Sequence, residues 1–147
     1  QKILKNIQPE DLNITKVIVW GGKNPLDKLP QKSWLDLRLV PALDYSLLTR
    51  LFWQQNELAD IARKNCDLLF VPGGLYLGKF RPYVTMFQNM QIFETGELNR
   101  ESGKAWLRLK LLQLAQGITF KKSSGVIVLS EYSANYLTFK YQNLINL

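Results

Sequence analysis

Two runs of the chain are apolar at every position, and they restrict the possible folds more than any other feature of the sequence. They are Val17-Ile18-Val19-Trp20 and Val126-Ile127-Val128-Leu129. A strand with one face in water alternates apolar and polar residues, whereas a strand covered on both faces is apolar throughout. β-Branched residues, frequent in both runs, favour strands. The runs therefore predict a sheet buried between helices.

The remaining apolar patterns place these runs in a series of strands and helices. Strands are predicted at residues 16–20, 36–40, 67–71, 83–87 and 125–129, and long helices at 46–64 and 104–121. Residues 2–7 and 133–137 predict shorter helices, and 22–31 a polar loop. Strands that alternate with helices are typical of an α/β fold, so we expect a Rossmann-like, mostly parallel sheet with covering helices.

Each long helix has apolar residues at helical spacing, which predicts the face that it turns to the core. The first stripe contains Leu47, Leu51, Leu58 and Ile61, and the second contains Leu107, Leu111, Leu114 and Ile118.

Composition narrows the classes of function. The 147 residues suit one domain, and they contain no histidine, which excludes a histidine-based triad, a histidine general base and a histidine metal site. The single cysteine, Cys66, excludes an internal disulfide. A net charge of +7 favours anionic partners. Because the chain begins at Gln1 without a leader, we expect a truncated, cytoplasmic-type domain.

A glycine-rich segment after the third predicted strand has the spacing of a phosphate-binding P-loop. It runs Gly73-Gly74-Leu75-Tyr76-Leu77-Gly78-Lys79. The next residue, Phe80, lacks the hydroxyl that such a loop offers to Mg²⁺, and Pro82 disfavours the helix that should follow. A nucleotide P-loop is therefore not expected.

Polar and glycine residues follow several predicted strands. Gly21-Gly22, Pro72-Gly73-Gly74, Gln88-Asn89 and Ser130-Glu131-Tyr132 each come directly after a strand. Open α/β sheets bind ligands at the carboxyl ends of their parallel strands, so these segments form a candidate site. Ordinary turns are rich in the same residues, and that reading remains open for each segment.

Three of these segments, with the strands before them, resemble the N-terminal domain of group 1, or family 4, glycosyltransferases. The similarity lies in Asp67-Leu68-Leu69-Phe70-Val71-Pro72-Gly73-Gly74, in Arg81-Pro82-Tyr83-Val84-Thr85-Met86-Phe87-Gln88-Asn89-Met90 and in Gly125-Val126-Ile127-Val128-Leu129-Ser130-Glu131-Tyr132-Ser133. The resemblance implies one half of a two-domain GT-B enzyme that transfers a sugar from a nucleotide-sugar donor to an acceptor with retention of configuration.

The resemblance also implies roles for individual residues. Gly73, Gly74, Gln88, Asn89, Glu131 and Tyr132 would line the acceptor side of the cleft. Amide side chains suit this role because they both donate to and accept from hydroxyl groups. No catalytic residue, metal site or bound cofactor is assigned; the nucleotide-sugar is a co-substrate that the donor domain binds.

The family's first strand and its donor domain have no counterpart in the sequence. The full-length protein is therefore expected to be the enzyme, and these residues alone are expected to be inactive. A sheet without its first strand would have a gap, so self-association through exposed strand edges is also expected.

The basic residues of the second long helix predict a further partner. Lys104, Arg108 and Lys110, followed by Lys121 and Lys122, suggest peripheral contact with an anionic membrane face, in keeping with a lipid-linked or glycan acceptor. A solvated helix face is the other interpretation. The alternative function is a non-catalytic α/β module that binds anionic partners such as nucleic acid.

Overall fold

A computed structural model describes residues 4, 6, 8–88, 90, 93 and 102–141. The chain divides into two compact units, residues 1–53 and 54–147. Both units contain parallel strands and helices, so the α/β class is confirmed and is compatible with a Rossmann-like fold. The organisation as one glycosyltransferase domain stays a prediction.

The first unit is built on a two-stranded parallel sheet. Strand β1 (Val17–Gly21) pairs with β2 (Leu35–Leu39). The predicted loop at 22–31 contains a helical turn, α1 (Lys23–Leu26), so that prediction was wrong for these four residues. The turn forms because the Asp44 carboxylate accepts a hydrogen bond from the Lys23 amide at 2.9 Å. Short 3-10 helices span Pro9–Leu12 and Pro41–Asp44.

The second unit contains a three-stranded parallel sheet. Its strands are β3 (Leu69–Val71), β4 (Tyr83–Phe87) and β5 (Gly125–Val128), in that order across the sheet. All five predicted strands are therefore present. The expected single sheet is absent among the described residues. The described strands form two sheets, and β1 and β2 pair with each other and with no other described strand.

The first predicted long helix is interrupted. Residues 46–64 form α2 (Leu47–Asn56) and α3 (Leu58–Asn65), with Glu57 between them at φ −105°. Asn56 has a low helix propensity, which favours an end at this point. The predicted stripe is correspondingly divided, since Leu58 is buried whereas Leu47 is exposed.

The later helices match their predictions more closely. Helix α4 spans Gly103–Lys122, and α5 spans Glu131–Lys140 rather than 133–137. The α5 helix starts earlier because the Ser130 side chain caps it by accepting a hydrogen bond from the Ser133 amide. Of the helix predicted at 2–7, the structure describes Leu4 and Asn6, and both are helical.

An aromatic cluster forms the core of the second unit. It contains Phe87, Phe93, Phe120 and Leu137, each at most 2% exposed. The Phe87 ring meets the rings of Phe93 and Phe120 edge to face, with centroids 5.4 and 5.3 Å apart. This cluster joins β4 to α4 and α5.

The connection between β3 and β4, residues 72–82, is attached to α4 through Thr119. The Thr119 hydroxyl accepts a hydrogen bond from the Tyr76 amide at 3.0 Å and lies 3.1 Å from the Tyr76 carbonyl oxygen. The Tyr83 hydroxyl donates to the carbonyl oxygen of Thr119. The connection and α4 therefore cover the same face of the sheet.

The opposite face of this sheet is only partly covered. Phe70 and Ile127 are both 42% exposed. The expectation of a sheet buried on both faces was therefore wrong for these two strands. Right-handed crossovers from β3 to β4 and from β4 to β5 run in the same direction, so the 72–82 connection and α4 are expected on one face.

The core-facing stripe predicted for the second long helix is exposed. Leu107, Leu111, Leu114 and Ile118, which we call the α4 stripe, are between 44% and 63% exposed. The buried residues of α4 are Gln116, Gly117, Thr119 and Phe120. The prediction was wrong because α4 is apolar on both sides, and contacts with Phe87 and Tyr83 select the side containing Phe120. Among the described residues, no helix has the length and apolar character needed to cross a bilayer.

Burial makes Tyr83 a source of stability that depends on pH. Desolvation raises the pKa of Tyr83 to about 12 from an ordinary value of 10.0. Because the folded pKa is the higher one, the stabilisation is complete below pH 10.0 and is lost as the pH rises towards about 12.

We expect Tyr83→Phe to reduce the loss of stability between pH 10.0 and about 12. Urea unfolding at several pH values measures this dependence. Tyr132→Phe is the control, because it removes the same phenol hydroxyl from an exposed position. An identical dependence in Tyr83→Phe and the unsubstituted chain would contradict the assignment.

Candidate functional site

The carboxyl edge of the β3-β4-β5 sheet brings three of the predicted segments to one side of the second unit. Gly73 and Gly74 follow β3, Gln88 follows β4, and Glu131 and Tyr132 follow β5. The parallel register aligns Val71 with Thr85, and Phe87 with Val128. Adjacent strands lie about 4.8 Å apart, so the three segments extend over a width of about 10 Å.

Gly74 lies where a side chain would meet the neighbouring strand. Its φ is +69°, and a Cβ atom would lie 3.1 Å from the Met86 carbonyl oxygen. A left-handed conformation favours glycine. Gly73, by contrast, is exposed and has open space beside it. Gly74 therefore shapes the loop, and Gly73 leaves backbone accessible to a ligand.

Gln88 places an amide at the centre of this edge. The residue is exposed, and its Nε2 atom lies 2.8 Å from the Met86 Sδ atom, a weak acceptor. Its Oε1 atom is oriented by this contact and can accept a hydrogen bond. Asn89, the other predicted amide, lies outside the described residues.

The third segment combines a helix cap with an exposed aromatic ring. Ser130 caps α5, and its hydroxyl also lies 3.0 Å from the Ser133 hydroxyl. Glu131 occupies the first turn, where a carboxylate interacts favourably with the helix dipole. Tyr132 is 63% exposed. Glu131 thus has a local structural role, whereas no described packing contact accounts for Tyr132.

Sequence reasoning missed Gln116, which lies behind Gly74. The residue is 7% exposed, and its Nε2 atom would lie 3.5 Å from a Cβ atom on Gly74. Its Oε1 atom is buried and has no hydrogen-bond partner among the described residues. The only signal in the sequence is a polar residue within an apolar helix. Gln116 therefore adds a buried polar group next to the glycine loop.

Gly21 and Gly22 are not part of the β3-β4-β5 sheet, because Gly21 ends β1 and Gly22 follows it in the other sheet. Their local roles are structural. The side chain of Leu26 packs on Gly21, where a Cβ atom would lie 2.8 Å from the Leu26 Cδ2 atom. The Asp44 carboxylate occupies the space beside Gly22. Gly21 and Gly22 therefore belong to the sheet of the first unit, and whether they share a site with the other segments stays a prediction.

The segment with P-loop spacing has a packing role. A Cβ atom on Gly78 would lie 2.5 Å from the Tyr76 ring, and the Phe80 amide donates to the Tyr76 hydroxyl at 3.2 Å. Strand β4, not a helix, follows the segment. The loop therefore lacks the helix N-terminus that receives phosphate in a P-loop.

The chemistry available at this edge is hydrogen bonding by two neutral groups and one carboxylate. Among the described residues predicted for the site, these side chains are the amide of Gln88, the phenol of Tyr132 and the carboxylate of Glu131. Within the described part of the chain, no three histidine, cysteine, aspartate or glutamate side chains gather closely enough to hold a metal ion. Such a set suits a ligand that carries several hydroxyl groups.

A scan of the chain against protein-family models gave no match, and neither did searches of curated proteins and of solved structures.

Proposed function

We propose that this chain is the acceptor-side domain of a retaining, nucleotide-sugar-dependent glycosyltransferase of the GT-B type. In this proposal, the carboxyl edge of the β3-β4-β5 sheet binds the acceptor. Gly73 and Gly74 supply accessible backbone, and Gln88, Asn89, Glu131 and Tyr132 contact hydroxyl groups. The donor is bound by a second domain that these 147 residues do not include.

The observation that carries the proposal is that three segments that resemble the glycosyltransferase domain lie at one edge of a parallel sheet. This is the edge at which open α/β sheets bind their ligands. Neutral amide and phenol groups dominate the edge, and exposed Tyr132 offers a ring on which a sugar can pack. These features support a polyhydroxylated ligand over a phosphate.

The second candidate function is a non-catalytic module that binds anionic partners such as nucleic acid. Helix α4 favours it, because the helix contains five cationic residues and no acidic residue. Binding of this kind weakens steeply with salt. Sugar binding through neutral hydrogen bonds should depend little on salt, so the salt dependence of ligand binding separates the two functions.

A first experiment titrates methyl glycosides of glucose, mannose and N-acetylglucosamine into the isotope-labelled chain and follows amide resonances by NMR. We expect shifts at Gly73, Gly74, Gln88 and Tyr132. Tyr132→Ala should weaken binding at least about tenfold, since a ring contact and a hydrogen bond together contribute more than about 1.4 kcal/mol.

Phe139→Ala is the matched control, because Phe139 is an exposed aromatic residue at the other end of the same helix. It should leave binding unchanged. For Gln88→Ala, the matched control is Gln55→Ala, because Gln55 is an exposed glutamine on α2. Shifts elsewhere with none at the sheet edge would reject the acceptor site.

The enzymatic part of the proposal needs the chain joined to a donor-binding domain. In such a protein, Gln88→Ala should lower sugar transfer more than it lowers the free energy of unfolding. The chain alone should transfer no sugar. An equal loss of transfer and stability would make Gln88 a structural residue.

A further inference from the structure

The α4 stripe, defined above as Leu107, Leu111, Leu114 and Ile118, is between 44% and 63% exposed and is not part of the core formed by the described residues of the second unit. Its residues are spaced by four, three and four positions, so they lie along one side of the helix. At a rise of 1.5 Å per residue, the stripe extends for about 17 Å. The other side of α4 already packs in the core through Thr119 and Phe120. One apolar side of the helix is therefore buried in the core, and a second apolar side is exposed.

Cationic residues border the α4 stripe on both sides. By helical periodicity, Lys110 and Lys121 flank one side, and Lys104, Arg108 and Lys122 flank the other. All except half-buried Lys110 are exposed. None of the five pairs with a carboxylate among the described residues. The exposed apolar surface thus lies within a cationic margin with no opposite charge on the helix.

This charge pattern disfavours a second copy of the chain as the partner. Because α4 contains no acidic residue, packing it against its own copy brings cations next to cations in either orientation. Like charges that face each other across an interface cost binding free energy. The partner must combine an apolar interior with an anionic border.

We propose that α4 docks on an anionic lipid surface, with the α4 stripe entering the boundary between headgroups and acyl chains. Lys and Arg side chains on both sides can extend towards headgroup phosphates while the stripe is buried. The inference does not depend on the proposed sugar-binding site.

The test is flotation of the full chain with vesicles of phosphatidylcholine alone, and with vesicles of equal parts phosphatidylcholine and phosphatidylglycerol. Binding is expected only to the second and should weaken as salt is raised. The double variant Leu111→Ser and Leu114→Ser should weaken it at least about tenfold through lost apolar burial. Both positions are exposed, so folding should be retained.

The matched control is the double variant Leu47→Ser and Leu48→Ser, which removes two exposed leucines from α2. It should bind vesicles as the unsubstituted chain does. For charge, Lys104→Gln, Arg108→Gln and Lys122→Gln together should also weaken binding at least about tenfold. Lys28→Gln, Lys64→Gln and Lys79→Gln remove the same charge from exposed positions elsewhere and should weaken it less.

Three outcomes would overturn the inference. The first is that the chain does not bind anionic vesicles. The second is that the α4 variants and their control variants lose vesicle binding to the same extent. The third is that vesicles are not bound, whereas the chain binds polyglutamate or forms a dimer in sedimentation velocity, and the double variant Leu111→Ser and Leu114→Ser abolishes this association. That result would assign the stripe to an acidic protein or to a second copy. Loss of sugar binding alone would leave the lipid surface unaffected, so the two proposals fail separately.

Discussion

Phe120→Ala is expected to remove a large part of the stability of this protein. Phe120 is 1% exposed and packs against Phe87 and Phe93, with ring centroids 5.3 and 6.2 Å away. Truncating a buried phenylalanine leaves a cavity and costs about 3–5 kcal/mol. The free energy of unfolding of a native protein is only about 5–15 kcal/mol, so the variant should unfold at a much lower urea concentration.

The control for this substitution is Phe139→Ala, which removes the same side chain from a position that is 79% exposed. It should change the free energy of unfolding by less than about 0.5 kcal/mol. Equal midpoints for Phe120→Ala and Phe139→Ala would show that the aromatic cluster does not hold β4 against α4 and α5.

Thr119→Val is expected to cost about 3 kcal/mol, although it hardly changes the volume of the side chain. The Thr119 hydroxyl accepts from the buried Tyr76 amide and lies 2.9 Å from the Ala115 carbonyl oxygen. Valine would leave the Tyr76 amide buried without a partner, and a lost buried hydrogen bond costs about 1–3 kcal/mol per group. Urea unfolding measures the change.

Thr119→Ser separates the hydrogen bonds from the packing. Serine keeps the hydroxyl and loses one methyl group, so it should destabilise the chain by only about 1 kcal/mol. If serine were as damaging as valine, packing and not hydrogen bonding would attach the 72–82 connection to α4. Amide exchange at Tyr76 gives a second measurement, since its protection should fall in Thr119→Val alone.

Strand positions were well predicted from the sequence because strand signals are local. Continuous β-branched runs mark β1 and β5 wherever they lie in the fold. The parallel order β3-β4-β5 then places Gly74, Gln88 and Glu131 at one edge. The strand pattern of the sequence therefore predicted which described residues lie at this edge, except for Gly21 and Gly22, which belong to the other sheet.

Helix faces were predicted less well, and α4 shows why. Periodicity measures whether apolar residues share a side of a helix. It does not choose between two apolar sides, and α4 has both the exposed α4 stripe and the buried side containing Phe120. The choice depends on Phe87 and Tyr83, which are distant in sequence. Gln116 was missed for the same reason, since its burial beside Gly74 depends on how α4 meets the 72–82 connection.

The sequence by itself determined the α/β class, the five strands, the absence of histidine chemistry and the turn residues after each strand. These depend on residue type and local backbone preference. Only the tertiary structure decided that the strands form two sheets and that the leucines of α4 are exposed. Each of these depends on which distant surfaces meet, because burial is a property of pairs of elements and not of one segment.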